Sequence, residues 1–121
     1  MVRRIELVNE YGVDFPVWDD EEGLLDPDDL DLTPALVADL RQFAALWQAG
    51  IPAEVYDDRF DGVPVLDALV RARHRLMRRL DPSRRPPPEA SDEAMRARGK
   101  ELAARLQAEL GDGVVVTYHH F

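Results

Sequence analysis

The chemistry-bearing side chains of this chain are mostly carboxylates, and they come in two groups. Eight acids occupy the thirteen positions from Asp19 to Asp31, beginning with the unbroken run Asp19, Asp20, Glu21 and Glu22. A second group, Glu54, Asp57, Asp58 and Asp61, is interleaved with Tyr56 and Phe60 in EVYDDRFD. Dense carboxylates can hold a divalent cation, move a proton or face a basic partner, and their spacing separates the three. A calcium loop of the EF-hand type needs acids at its positions 1, 3 and 5, glycine at 6 and glutamate at 12. Aligned on Gly23, the first group puts Asp20 and Glu22 at positions 3 and 5 but Trp18 at 1 and Asp29 at 12, and the flanking helices are missing. The motif fails at two ligand positions. General acid–base work needs a carboxylate singled out by its surroundings, and among so many acids the sequence singles out none.

Other reaction types lack their parts. There is no cysteine, which removes thiolate chemistry and disulfides and suits a reducing compartment. The hydroxyl candidates are Ser83, Ser91, Thr33 and Thr117, and no GxSxG turn presents one beside a base. Seven glycines are scattered without forming GxxxxGK or GxGxxG, so phosphate-loop and dinucleotide sites are not expected. His119 and His120 are adjacent, which on a strand sends them to opposite faces. His74 has Arg78, not a second ligand, four residues on. The expectation is a non-enzymatic chain with no cofactor and no metal.

The net charge of −9 is unevenly placed. Residues 1–61 hold 16 acids and 4 bases, a balance of −12, whereas residues 62–121 hold 8 acids and 11 bases, a balance of +3. The stretch RARHRLMRRLDPSRR has seven arginines in fifteen residues. Arginine runs neutralise phosphates, but the overall negative field repels a nucleic acid and the run contains no stacking aromatic, so nucleic acid is not the expected partner. With 45% hydrophobic residues over 121 positions the chain can fold around a core. One lysine against fourteen arginines, with abundant Ala, Asp and Pro, is the usage of a GC-rich bacterial genome. No apolar run nears the roughly 20 residues of a membrane helix, and MVRRIELVNE lacks the apolar stretch of a signal peptide. A cytoplasmic protein without membrane contact is expected.

The elements that must position these residues follow from periodicity and caps. RRIELV puts Ile5 and Leu7 on one side of a first strand. In YGVDFPVW, Tyr11, Val13, Phe15 and Val17 alternate with Gly12, Asp14 and Pro16, which predicts a second strand reached by a turn at NEYG and confined by Pro16 to a sheet edge. DPDD predicts a capped turn, with Asp26 at the N-cap and Pro27 at N1, and Leu24, Leu25, Leu30 and Leu32 anchor the segment. That leaves Asp19 to Glu22 as the acids without a structural task. A first helix follows Thr33 as N-cap and Pro34, with Leu36, Leu40, Phe43 and Trp47 on one face and Gly50 and Pro52 ending it.

A second helix runs from about Leu66 to Leu80, with Leu66, Leu69, Val70, Leu76, Met77 and Leu80 on one stripe. Arg73 emerges from the centre of that stripe and is expected, half-buried, in an internal salt bridge. A proline-rich internal loop, about 81–90, precedes a third helix that starts near Ser91 and Asp92, buries Met95, Leu102, Leu106 and Leu110, and stops at Gly111. Gly99 shares its buried face, which predicts close helix packing. GVVVTY predicts a short buried strand. The order implies a single α+β domain over 1–121: an N-terminal β-hairpin, three amphipathic helices and a C-terminal strand, packed as one small sheet with helices.

Aromatic anchors ringed by charge are the makeup of protein-binding hot spots. Glu54, Tyr56, Asp57, Asp58, Phe60 and Asp61 are therefore the first candidate contacts with a basic protein, and Asp19, Asp20, Glu21 and Glu22 the second, with charge steering the encounter. In its size, its acidity, its lack of cysteine and its VYDDRFD loop the chain resembles the immunity proteins of bacterial toxin systems, the nuclease-neutralising kind especially. That resemblance implies tight cytoplasmic binding to a toxin domain, over its active site or a neighbouring surface. The α+β order departs from the all-helical colicin immunity proteins, so no residue roles carry over. The alternative is a structural or regulatory subunit that assembles through its acidic N-terminal half and basic second helix, a homodimer included. A third reading, a small-molecule enzyme, requires a pocket lined by Arg73, His74 and acids.

Overall fold

Ile5 and Leu7 are fully buried while Arg4 and Glu6 between and beside them are exposed, the alternation of a strand with one covered face. The structure is a computed structural model that describes residues 3–51, 62–81 and 86–120. Its strands are β1 (Arg3–Leu7), β2 (Val17–Asp19), β3 (Gly23–Leu24) and β4 (Val114–Tyr118). They form one sheet in the order β3-β2-β1-β4, with β2 antiparallel and β4 parallel to β1. The register sets Leu7 beside Val17 and Tyr118, and Ile5 beside Val116, on the covered face. Arg4, Glu6, Trp18, Val115 and Thr117 fall on the other face, which is open.

Three helices complete the α+β fold: α1 (Pro34–Ala49), α2 (Pro64–Leu80) and α3 (Asp92–Leu110). The starts of α1 and α3 are capped as their sequences dictate. Thr33 Oγ1 accepts from Leu36 N–H, and Ser91 Oγ accepts from Ala94 N–H. Leu36, Leu40 and Phe43 of α1 and Met95, Leu102 and Leu106 of α3 meet Ile5, Leu7, Phe15, Val17 and Leu25 in the core. Each such leucine, truncated to alanine, costs about 2–5 kcal/mol. Polar ties hold the layers in register. Glu109 accepts from both the N–H and the hydroxyl of Thr33, at 2.7 and 2.8 Å, joining the end of α3 to the start of α1. Asp39 of α1 pairs with Arg105 of α3 at 2.6 Å. Gln107 donates to the carbonyls of Gly111 and Val114 and accepts from Val116 N–H, clamping β4 onto the helix that precedes it.

Several expectations need correction. Only Val17 and Trp18 of the predicted second strand enter the sheet; Tyr11 to Pro16 form a looped excursion closed by a Val8 N–H to Pro16 carbonyl bond. Gly12 adopts φ of +74° there and Pro16 has no N–H, so the ladder cannot run through them. Phe15 still reaches the core, and Tyr11 packs edge-on against Trp47. Nor is β2 an edge, because the two-residue β3 pairs along its far side. The edges are β3 and β4, and β4 is only alternately sheltered, with Val115 exposed. Leu24, expected as an anchor, is also exposed. Gly50 ends α1 at φ of −78°; a side chain there would crowd the Ala90 backbone oxygen at 3.1 Å. Gly99 does lie in a close contact, yet its neighbour is the ring of Tyr118 on β4 and not another helix.

A β-carbon at residue 99 would overlap that ring, which is also packed edge-on against Phe43. Gly99→Val is therefore expected to lower the urea-unfolding free energy by about 1–3 kcal/mol, the usual cost of overpacking. In a Tyr118→Ala background the same substitution should cost clearly less, because the obstructing ring is gone.

Candidate functional site

The run Asp19 to Glu22 divides on folding. Asp19 points to the covered side of the sheet and is buried. Its Oδ2 accepts from Arg3 Nε at 2.5 Å, and its Oδ1 accepts from the backbone N–H groups of Glu21 and Glu22 at 2.8 and 3.3 Å. The Arg3 hydrogen bond first, and those two backbone donors next, hold its carboxyl well below the ordinary range, at about 2. Asp19 thus builds the turn between β2 and β3 and is not offered to solvent. Asp20, Glu21 and Glu22 stand exposed on that turn, with Glu22 3.8 Å from Arg3 Nη2. Further along, Asp26 N–H donates to the Asp29 carboxylate at 2.8 Å, across the 3₁₀ turn Pro27–Asp29. Asp26 stands at the N-cap and Pro27 at N1 as expected, and Asp29 at N3 reaches back to complete a capping box. Glu54, Tyr56, Asp57, Asp58, Phe60 and Asp61 lie outside the described residues. Among the described residues no three His, Asp or Glu side chains converge as metal ligands would.

A second cluster was not legible in the sequence. His120 Nε2 lies 2.6 Å from Asp92 Oδ1, and His120 Nδ1 lies 2.7 Å from the Tyr118 hydroxyl. With Nε2–H donated to the carboxylate, Nδ1 accepts from the phenol. The partners sit 28 and 2 residues from His120, so no local spacing announces them. Hydrogen bonding to His120 pulls the Asp92 carboxyl down, and burial pushes the Tyr118 phenol up. A raised phenol holds its proton, opposite to what a nucleophile or base requires. The row acts as a clasp that fastens the segment after β4 to the first turn of α3. His119, by contrast, is exposed.

The largest departure concerns α2. No α2 residue belongs to the core cluster, and Val70 is its one buried residue. Of the expected stripe Val70 is buried and Met77 half-buried, but Leu66, Leu69, Leu76 and Leu80 face solvent, the last three 61, 54 and 71% exposed, as does the neighbouring Val65 at 72%. The sheltered residues of α2 are Asp67, Val70, His74, Met77 and Arg78, with Asp81 just past its end. The reason is space: α1 and α3 already cover the inner face of a four-stranded sheet. Arg73 follows the same rotation and is exposed rather than half-buried in a salt bridge. Alongside the C-terminal half of α2 runs an open groove of about 650 Å³, lined by Ala72, Arg75, Leu76, Arg78, Arg79 and Pro86. Among the described residues no helix is long and apolar enough to cross a membrane.

Asp19 sets a pH dependence whose sign is fixed by its lowered carboxyl. The group stabilises the fold above the ordinary carboxylate range near pH 4, and that contribution disappears as pH falls towards about 2. Asp19→Asn should thus be less stable than the parent at pH 7, with the gap closing between roughly pH 4 and 2 in thermal unfolding monitored by circular dichroism. Three features are therefore on the surface for a partner or ligand: the carboxylates of the β2–β3 turn, the clasp at His120 and the apolar stripe of α2. No protein-family model matches the chain, and no curated protein does.

Proposed function

We propose that this protein is a non-enzymatic binding module that engages another protein through the exposed stripe of α2. The observation that carries the reading is the rotation of α2, which turns its sheltered line of Val70 and Met77 inward and leaves Val65, Leu69, Leu76 and Leu80 in solvent. Contiguous exposed apolar surface rimmed by charge marks an interaction site, and full burial of such a side chain stabilises by roughly 1.5–3 kcal/mol. The arginines along its edges supply orientation and encounter rate. This reading differs from the subunit role, in which the acidic N-terminal half and the basic second helix assemble by charge.

One further observation favours a second reading. Asp20, Glu21 and Glu22 are exposed on a turn anchored from beneath by Asp19 and Arg3, so their charge is presented from a fixed position. Such a surface suits a basic protein, and neutralisation of a toxin in the cytoplasm is the form of it that the immunity-protein resemblance implies. The two surfaces are compatible on one chain.

Photo-crosslinking in the native host separates them. With a crosslinking residue at Val65, an adduct with one discrete protein is expected, and the pair Leu69→Gln and Leu76→Gln should abolish it. That double variant should keep its unfolding free energy within about 0.5 kcal/mol per site, because neither leucine packs in the core. An adduct only from a crosslinker at Glu21 would transfer the function to the acidic turn. Adducts from neither position, or equally from Val115 on the open sheet face, would overturn both readings.

A further inference from the structure

We infer that the occupant of the α2 stripe is an acidic amphipathic helix of a partner protein, seated in coiled-coil fashion with carboxylates along both edges of its own apolar seam. The inference rests on the reading of α2 as a protein-docking surface and specifies what docks there. Val65, Leu69, Ala72 and Leu76 follow one another at spacings of four, three and four, the alternation of a knobs-into-holes seam. All four are exposed. In that frame Leu66, Arg73 and Leu80 line one edge, Ala68 and Arg75 the other, and Arg79 takes the next seam position. Arg73 and Arg75 are both exposed, so each edge presents a guanidinium at mid-length. Edge positions of this kind choose the partner by charge.

Two other occupants fit worse. Pairing with α2 of a second copy places Arg73 against Arg73 and Arg75 against Arg75 when the helices run antiparallel. When they run parallel, Arg79 meets Arg79 within the seam. Like charges so placed are destabilising. An anionic membrane would accept arginines beside an apolar face, but it is a broad plane that also confronts the rest of a chain carrying −9, whereas a single helix meets only the charges beside the stripe. An acidic helix meets local arginines at short range, where the screening length of about 8 Å lets them outweigh distant acids.

The test uses the full chain and two labelled synthetic helices of about three heptads, each with leucine at the seam positions and either glutamate or lysine at both edges. Fluorescence anisotropy should show the glutamate helix binding at least about tenfold more tightly than the lysine helix. Arg73→Glu with Arg75→Glu should invert that order, and Leu69→Gln with Leu76→Gln should abolish both. Equal binding of the two helices would overturn the acidic-helix inference while leaving the docking reading intact. Binding of neither would overturn it too, and the crosslinking at Val65 then decides separately whether α2 docks a protein at all. A sedimenting dimer removed by the leucine substitutions, or retention on phosphatidylglycerol vesicles lost with them, would replace the acidic helix by a second copy or by a lipid surface.

Discussion

Parallel strands cannot be joined by a tight turn, so setting β4 beside β1 obliges the chain to leave the sheet and return through helices. α3 is the return path, and it arrives directly beneath the strand it feeds. Gln107 satisfies one N–H and two carbonyls around the α3–β4 junction, while Gly99 opens a seat for the Tyr118 ring. Once α3 is fixed by β4, α1 has one place left on the inner face. Asp39, Arg105, Thr33 and Glu109 hold it there. β2 and the short β3 then extend the opposite side of β1, with Asp19 and Arg3 closing the corner.

Much of this was legible because local rules and tertiary packing agree. α1 has its cap, its proline at N1 and its Leu36–Leu40–Phe43 face in register, and α3 has Ser91, Met95, Leu102 and Leu106 likewise. The neighbourhood of the two terminal strands followed from element order alone. The reading failed for different reasons at different places: local backbone constraint, short length or tertiary crowding. Alternation in Tyr11 to Val17 is real, yet Phe15 enters the core from a loop because Gly12 and Pro16 forbid a ladder. β3 has two residues and leaves no periodic trace. The apolar stripe of α2 was visible, but sequence cannot say that the inner face of the sheet is already full.

The candidate sites were only partly legible. Of Asp19 to Glu22, Asp19 was indistinguishable from its neighbours, although its carboxylate is the one that the turn and Arg3 consume. Charge density pointed to a region and could not rank members within it. His120 and Asp92 meet only because β4 ends over the first turn of α3, a proximity with no linear signature. By contrast the arginines around α2 were conspicuous. Their meaning changed once the helix was seen to face outward, from a solvated flank of a packed helix to the rim of an open apolar row.

The pairing of residues 3–7 with residues 114–118 also governs how the molecule must fold. Contacts between such distant segments raise the contact order and slow the search for the native state. On the ribosome, where synthesis proceeds at about 5–20 residues per second, β1 emerges early and waits for β4 before its hydrogen bonds on that side can form. The inner faces of α1 and β1 stay uncovered during that interval, together with an α2 row that native folding never covers. Residues 1–61 carry 16 acids against 4 bases, and like charge of that density opposes association between chains whose apolar faces are not yet covered.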